Sequence, residues 1–298
     1  MKIGFAGTGT FAQLIWRHLA ASAYPPALLV TAPAARRGRH RHLSLSPLAD
    51  LAEAAGVRVL APVSWDEAAV SALRGAQLGC LVVADYGRKL PADQIPCAIN
   101  VHPSLLPRWR GAAPVQRTLW EGDRYTGISI IRLVDAIDAG PIYAQCATLV
   151  SASEDAGQLT TRLAELAAPM LQTVLAQIAS GSAKTVDQDA HGVRWAKRVA
   201  AADEWLELDQ LTAVSVIRRV RALAPQPGAK VTLAGRTVQL LAAEPSPLPL
   251  AAGAIGTSGG QLVIGTRDGS VCVARLRPAS GREMSGADFL RGLSGAGR

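Results

Sequence analysis

At 298 residues the chain is long enough for two domains. Its 49% hydrophobic and 18% charged residues, with 28 Gly and 18 Pro, suit a packed core and exclude an intrinsically disordered chain. A formal net charge of +8 favours a polyanionic partner wherever the charges cluster, and no apolar run reaches the ~18 residues that a bilayer span needs.

Lys2 to Ala6 reads as a first strand and the segment from about Phe11 to Ala21 as a helix. Lys2, the apolar stretch after it and Ala21-Ser22-Ala23 imitate a signal peptide, but Gly7-Thr8-Gly9-Thr10 and Arg17-His18 interrupt that pattern, and a strand, glycine turn and helix explain it better. Gly7 to Ala12 also fits GxGxxA, the loop that cradles a dinucleotide pyrophosphate. The next strand, Ala27 to Thr31, ends in Ala32-Pro33 instead of the acidic residue that would hold the ribose of NAD, although Arg36 and Arg37 could meet an NADP phosphate. Ala34 to Pro47 carries Arg36, Arg37, Arg39 and Arg41 with no acid from Pro33 through Ala49, which describes either a solvated basic loop or one that contacts phosphates.

A helix over Pro47 to Ala55 and strands over Val57 to Leu60 and Leu81 to Val83 continue a strand-helix alternation, which implies parallel pairing. Ala98 to Val101 extends the sheet and puts Asn100 and His102 on one side of a strand end. Pro103 and Pro107 then force Ser104-Leu105-Leu106-Pro107 into an irregular loop. An amide and an imidazole there supply a neutral hydrogen-bond donor and a proton-transfer group, the pair needed where a carbonyl becomes an oxyanion; the plain alternative is an Asn turn beside a capped surface His.

Thr126 to Leu133 reads as a further strand, more exposed on one side, and a long helix follows from about Asp155 to Ile178, with Gly181 ending it. Residues 185–204 are polar and mixed in charge, which suits a linker between a domain at 1–184 and another at 205–298. A helix at about 210–223 precedes short runs at Lys230 to Leu233, Thr237 to Ala242, Gly253 to Thr257, Gln261 to Thr266 and Ser270 to Leu276, the punctuation of a small barrel. Cysteines 80, 97, 146 and 272 show no CxxC pairing and no metal-like clustering with the five histidines, and read as reduced thiols in a cytoplasmic protein.

The run NVHPSLLPRWRGAAPVQRTLWEGDRYTGISI, from Asn100 to Ile130, resembles the signature of the 10-formyltetrahydrofolate-dependent formyltransferases, and the similarity extends along nearly the whole chain. The resemblance implies a Rossmann-like α/β formyltransferase domain followed by an oligonucleotide-binding-type barrel, whose closing helix matches Met284 to Leu290. It implies a catalytic triad of Asn100, His102 and Asp138, the last in a D-x-G turn that the chain keeps. The formyl donor, 10-formyltetrahydrofolate, would lie against the Val83 to Pro91 loop, at Tyr86 and Gly87, and against Ser104, Leu105, Leu106 and Pro107, with no metal required.

Two positions depart from the family pattern. Gly9 stands in a loop that resembles G-T-P-x-F-A, and Asp85 stands where a small apolar residue is commoner; Asp85 could pair with Arg88 or Lys89 on the surface or perturb pterin binding. The RWRGAAPVQ segment is similar to the branch of the family that acts on charged initiator methionyl-tRNA, and in that branch a basic insert grips the tRNA acceptor end. That role falls on Arg36, Arg37, Arg39 and Arg41, with Arg194, Lys197, Arg198, Arg218, Arg219 and Arg221 extending the path, in a monomer without membrane contact. The alternatives are transfer to a small amine, such as an amino sugar or purine precursor, and a non-catalytic nucleic-acid-binding barrel protein.

Overall fold

The structure is a computed structural model that describes residues 1–37, 42–279 and 281–295. The chain forms two compact units that interleave in sequence. Met1–Ala112, Thr126–Thr148 and Thr160–Ala196 make the first, and Ala113–Tyr125, Leu149–Leu159 and Lys197–Arg298 make the second.

In chain order the first unit begins with β1 (Ile3–Ala6), α1 (Thr10–Ala20), β2 (Pro26–Val30), a ribbon of β3 (Ala35–Arg37) and β4 (His42–Ser44), α2 (Pro47–Ala54), β5 (Arg58–Leu60), α3 (Glu67–Arg74), β6 (Cys80–Val83), β7 (Ala98–His102) and β8 (Arg110–Gly111). After α4 (Pro114–Glu121), which packs with the second unit, come β9 (Tyr125–Arg132), β10 (Ile142–Leu149), α5 (Ala156–Ala179) and β11 (Trp195–Ala196). The main sheet runs β10-β9-β7-β6-β1-β2-β5. Its central pairs are parallel, and β9 lies antiparallel to β7.

The central strands are short and apolar because helices cover both faces of a parallel sheet: Ile3, Phe5 and Ala6 of β1 and all of β6 are buried. Helix α1 turns Phe11, Ala12, Ile15, Trp16 and Leu19 inward, and Trp16 meets Phe5 edge to face at 5.7 Å. Strand β9, expected to be exposed on one side, is buried from Thr126 to Ile131. Ser129, the polar residue that alternates with Ile128 and Ile130 there, is fully buried and bonded into the loop after β7. Helix α3 was not legible as a helix, since Leu73 is its one buried residue, and its clearest signal is the Asp66 cap that accepts the Ala69 N–H.

The second unit adds α6 (Ala213–Leu223), β12 (Ala229–Leu233), β13 (Arg236–Ser246), β14 (Ile255–Ser258), β15 (Gln261–Gly265), β16 (Ser270–Pro278), β17 (Met284–Ser285) and α7 (Gly286–Gly295). Its sheet is antiparallel, ordered β12-β13-β16-β15-β14 with β17 on β16, and register shifts between Leu240 and Ala243 interrupt the ladder of the long strand β13. Val216, Val220 and Leu223 of α6 close over Val231, Leu240 and Val273 of the sheet. The short strands expected to form a small barrel make a separate antiparallel domain, in which the ladders among the described residues do not join β12 to β14.

Within this unit the Arg117 and Arg219 guanidinium carbons sit 4.9 and 4.5 Å from the Trp120 ring centroid. Arg221 donates to the main-chain oxygens of Glu154 and Ser151. Burial pushes the Arg219 and Arg221 guanidinium groups below their ordinary values. These two arginines, counted from sequence as part of a basic path, are therefore held by their own domain. Arg194, Lys197 and Arg198 are exposed.

Candidate active site

Asn100 and His102 share one face of β7, and the structure carries Asp138 to them from the turn between β9 and β10. Asn100 Nδ2 donates to Asp138 Oδ1 at 3.0 Å. The Gly111 main-chain N–H donates to Asp138 Oδ2 at 2.8 Å, and His102 Nδ1 lies 3.6 Å from the same oxygen. His102 Nε2 is 2.8 Å from the carbonyl oxygen of Trp109, an acceptor only, so Nε2 carries a proton and Nδ1 is the nitrogen that faces the carboxylate. The Asp138 side chain is 14% exposed, so its charge is answered mainly by these donors rather than by water. Of the two Asn100 amide hydrogens one serves Asp138, leaving the other for a ligand.

Backbone geometry fixes this arrangement. Asp138 adopts φ 49°, a left-handed conformation that aspartate tolerates better than most residues. Gly111 has φ 119°, and a Cβ there would stand 2.8 Å from the Ala196 oxygen, so only glycine presents its N–H in this way.

The loop after His102 is pinned from beneath. Ser104 Oγ donates to Arg108 O at 2.7 Å, Ser129 Oγ donates to Ser104 O at 2.7 Å, and Leu106 N–H donates to Ser129 Oγ at 3.0 Å. Gln145 Nε2 reaches Leu106 O at 2.9 Å and Ser129 Oγ at 2.8 Å. Ser104 and Leu106 are thus buried anchors, while Leu105 and Pro107 are half-buried. The Tyr86 ring packs on a cluster that includes Val83, Leu90 and Ile95, and its hydroxyl is buried without a partner among the described residues. Burial pushes its phenol upward.

Gln188, which carries no signal in the sequence, bonds the Asp138 turn. Its Nε2 donates to the main-chain oxygens of Asp138 and Gly140, both at 2.8 Å, while its Oε1 accepts from Arg110 Nε at 3.0 Å and Nη2 at 2.7 Å. Gln188 falls in the polar stretch expected to be a linker, yet residues 186–196 are fastened to the first unit. Val186 and Ile142 exchange two main-chain bonds of 2.8 and 2.9 Å, and β11 pairs in parallel with β8. Mixed polarity marks a surface strap as readily as a linker, because both expose side chains.

The glycine loop at Gly7 to Gly9 is closed from within. Thr8 N–H donates to Asp85 O at 3.1 Å, and the Asp85 carboxylate accepts the Phe11 N–H in the first turn of α1. A Cβ on Gly9 would stand 1.9 Å from Asp85 Oδ2. Asp85 has φ 48°, and although much of the residue faces solvent its carboxyl is withdrawn among main chain, where burial, partly offset by the Phe11 N–H, raises it to about 6. The two departures noted in the sequence are one feature, with the carboxylate in the space a Gly9 side chain would need. A dinucleotide pyrophosphate would need this same helix end, so the dinucleotide-binding reading of the glycine loop loses its site. The surface pairing also fails, since Arg88 donates to Val63 O and Lys89 lies 3.6 Å from Asp135.

Of the basic insert, Arg36 is exposed on β3, opposite Leu43 of β4, and Arg37 ends the strand. The expected loop is thus a two-stranded ribbon at its base, and Arg39 and Arg41 lie outside the described residues.

A carboxylate, an imidazole and an amide joined in this way can bind an acyl oxygen, hold a charge beside it and move a proton, as acyl transfer requires. The family model for formyl transferase matches residues 1–175, and that for the formyl transferase C-terminal domain matches residues 198–294. The chain belongs to the formyl transferase family. Within it, the chain is similar to methionyl-tRNA formyltransferase of Halorhodospira halophila, 36% identical over 300 residues covering 98% of this chain and 96% of that protein. It is equally similar to methionyl-tRNA formyltransferase of a Nocardioides species, 36% identical over 301 residues covering 98% and 95%. Among solved structures, Aquifex aeolicus HypX in complex with tetrahydrofolic acid shares the fold with a TM-score of 0.70 and 19% identity, covering 97% of this chain and 47% of that one.

Proposed function

We propose that this chain transfers the formyl group of 10-formyltetrahydrofolate to the amino group of methionine on charged initiator methionyl-tRNA, in the cytoplasm and as a monomer. The observation that carries the reading is the Asp138 carboxylate, bonded at one oxygen by Asn100 and at the other by Gly111, with His102 facing it. The amine nitrogen attacks the formyl carbon, the carbonyl oxygen becomes an oxyanion, and the bond from that carbon to the folate nitrogen then breaks. The remaining Asn100 amide hydrogen bonds the oxyanion, and His102, whose Nε2–H is given to Trp109 O, adds positive charge beside it once Nδ1 takes up a proton. His102 Nδ1 and Asp138, 3.6 Å apart, take up the proton that the attacking nitrogen releases, directly or through a water, and return it to the departing folate nitrogen as the carbon–nitrogen bond breaks. The half-buried faces of Leu105 and Pro107, with the main chain at Tyr86 and Gly87, receive the pterin, and the buried anchors Ser104 and Leu106 keep that wall in place.

In this reading residues 1–184, with the strap at 186–196 fastened to them, make the catalytic domain, 197–204 connect, and 205–298 support tRNA binding without adding a catalytic residue. The ribbon bearing Arg36 and Arg37, and the segment that continues it through Arg39 and Arg41, grips the acceptor arm. The assay offers 10-formyltetrahydrofolate with charged initiator methionyl-tRNA, free methionine and an amino sugar side by side. Turnover of the tRNA alone is expected, and preference for a free amine would overturn the reading. Replacing the four arginines by Gln is expected to flatten the dependence of log affinity on log salt by about 3, from roughly 0.7–0.9 per phosphate contact. An unchanged slope would assign those charges to solubility.

A further inference from the structure

We propose that Gln188 is a positioning residue for the transfer reaction, acting with Arg110 as a clamp that holds Asp138 in its left-handed conformation against His102. The inference rests on the reading of the Asn100-His102-Asp138 centre given above. Three observations carry it. First, the clamp bonds the residue whose placement matters: the Gln188 amide donates to the main-chain oxygen of Asp138 itself and to that of Gly140 two residues on. Secondly, Arg110 fixes the other end of the amide with two donors, so the Gln188 side chain cannot rotate without losing four hydrogen bonds. Thirdly, Arg110 adjoins Gly111, whose N–H holds Asp138 Oδ2. One short strand therefore grips the aspartate twice, directly at the carboxylate and through Gln188 at the main chain.

The strap that brings Gln188 into place is anchored on both sides of it, at Val186 on Ile142 and at Trp195–Ala196 on Arg110–Gly111. Between those anchors Asp187, Asp189, Ala190 and His191 are exposed, whereas Gln188 is half-buried. A non-glycine residue at φ 49° is held there by its surroundings and not by its own preference. Releasing the clamp should let the turn relax and carry the carboxylate away from Asn100 and His102, a displacement that costs rate more than binding.

The test compares Gln188→Ala and Gln188→Glu with wild type. The glutamate keeps the pairing with Arg110 but places an oxygen without a hydrogen against the Asp138 and Gly140 carbonyls. Both variants should lose about 10- to 100-fold in kcat with the KM for folate and amine substrate unchanged. Arg110→Ala should do the same, and the Arg110→Ala/Gln188→Ala pair should be no worse than either single change, because the two residues act as one unit. His191→Ala, on the exposed part of the strap, should behave as wild type. Should Gln188→Ala not fold, Gln188→Glu and Arg110→Lys, which preserve bulk, decide the matter. Amide exchange at Gly111 gives a readout independent of activity, and its protection should fall in Gln188→Glu but not in His191→Ala. A wild-type chain that transfers no formyl group would overturn the reading of the centre, and Gly111 exchange would still judge the clamp. Retained kcat and retained Gly111 protection in Gln188→Glu, or additive losses in the double variant, would overturn it.

Discussion

Two aspartates in this molecule share a left-handed φ, Asp85 at 48° and Asp138 at 49°, and each carboxylate accepts a main-chain N–H. Their neighbourhoods part them. Asp138 has a second donor in Asn100 and an imidazole beside it, and so forms a centre whose groups can exchange a proton and meet a substrate oxygen. Asp85 has the Phe11 N–H and the space beside Gly9, and burial raises its carboxyl to about 6; it plugs the first turn of α1. Identical residue type and a shared left-handed φ thus give the proposed catalytic carboxylate in one place and a structural stopper in the other. The set of partners decides which.

The comparison is tested most severely by turnover. Asp138→Ala, like His102→Ala or Asn100→Ala, is expected to lower kcat on the order of 100- to 1000-fold at saturating folate and amine, with the thermal midpoint little changed. Asp85→Ala should leave kcat near wild type, and a comparable loss there would erase the distinction between the two residues.

A smaller effect is expected at Gly9. Gly9→Ala puts a Cβ into the Asp85 carboxylate and should cost about 1–3 kcal/mol of unfolding free energy in urea titration. The Gly9→Ala/Asp85→Ala double variant should recover most of that loss, since the clashing atom is gone. Equal destabilisation with and without the carboxylate would show that the two positions are not coupled.

The smallest expected effect is in the pH dependence of stability. Asp85 is raised above its ordinary 3.8 to about 6, so between those values the folded chain binds the proton more tightly than the unfolded chain. The stability this proton contributes is present below about pH 4 and is lost as pH rises through about 6. Thermal midpoints of wild type minus Asp85→Asn should accordingly fall across that window. A flat difference would mean that water reaches the carboxyl freely.

Much of the centre was legible in the sequence for a local reason. Asn100 and His102 are two residues apart, and the period of a strand puts them on one side wherever that strand lies. The proline-bounded loop after them and the barrel-like run of short strands were readable in the same way, from turn residues and spacing. Helix α3 escaped because it buries one large side chain, and the exposure expected of β9 was wrong because polarity alone does not reveal that Ser129 has buried partners. Asp85 read as an isolated departure, since its companion Gly9 lies 76 residues away in sequence. Gln188 was invisible for the same reason, lying 50 residues from Asp138 and 78 from Arg110.

The sequence by itself determined the alternation of strands and helices, the strand end that bears Asn100 and His102, and the family resemblance that points to Asp138. Those rest on residue type and short spacing, which survive in one dimension. Only the tertiary structure decided that Gly111 and Trp109 supply main-chain partners, that Gln188 and Arg110 tie the turn to the site, and that the apparent nucleotide loop is filled by Asp85. Each of these depends on a backbone atom or a long-range approach, and a main-chain N–H or carbonyl is present at almost every position of any sequence. Folding alone chooses which of them meet.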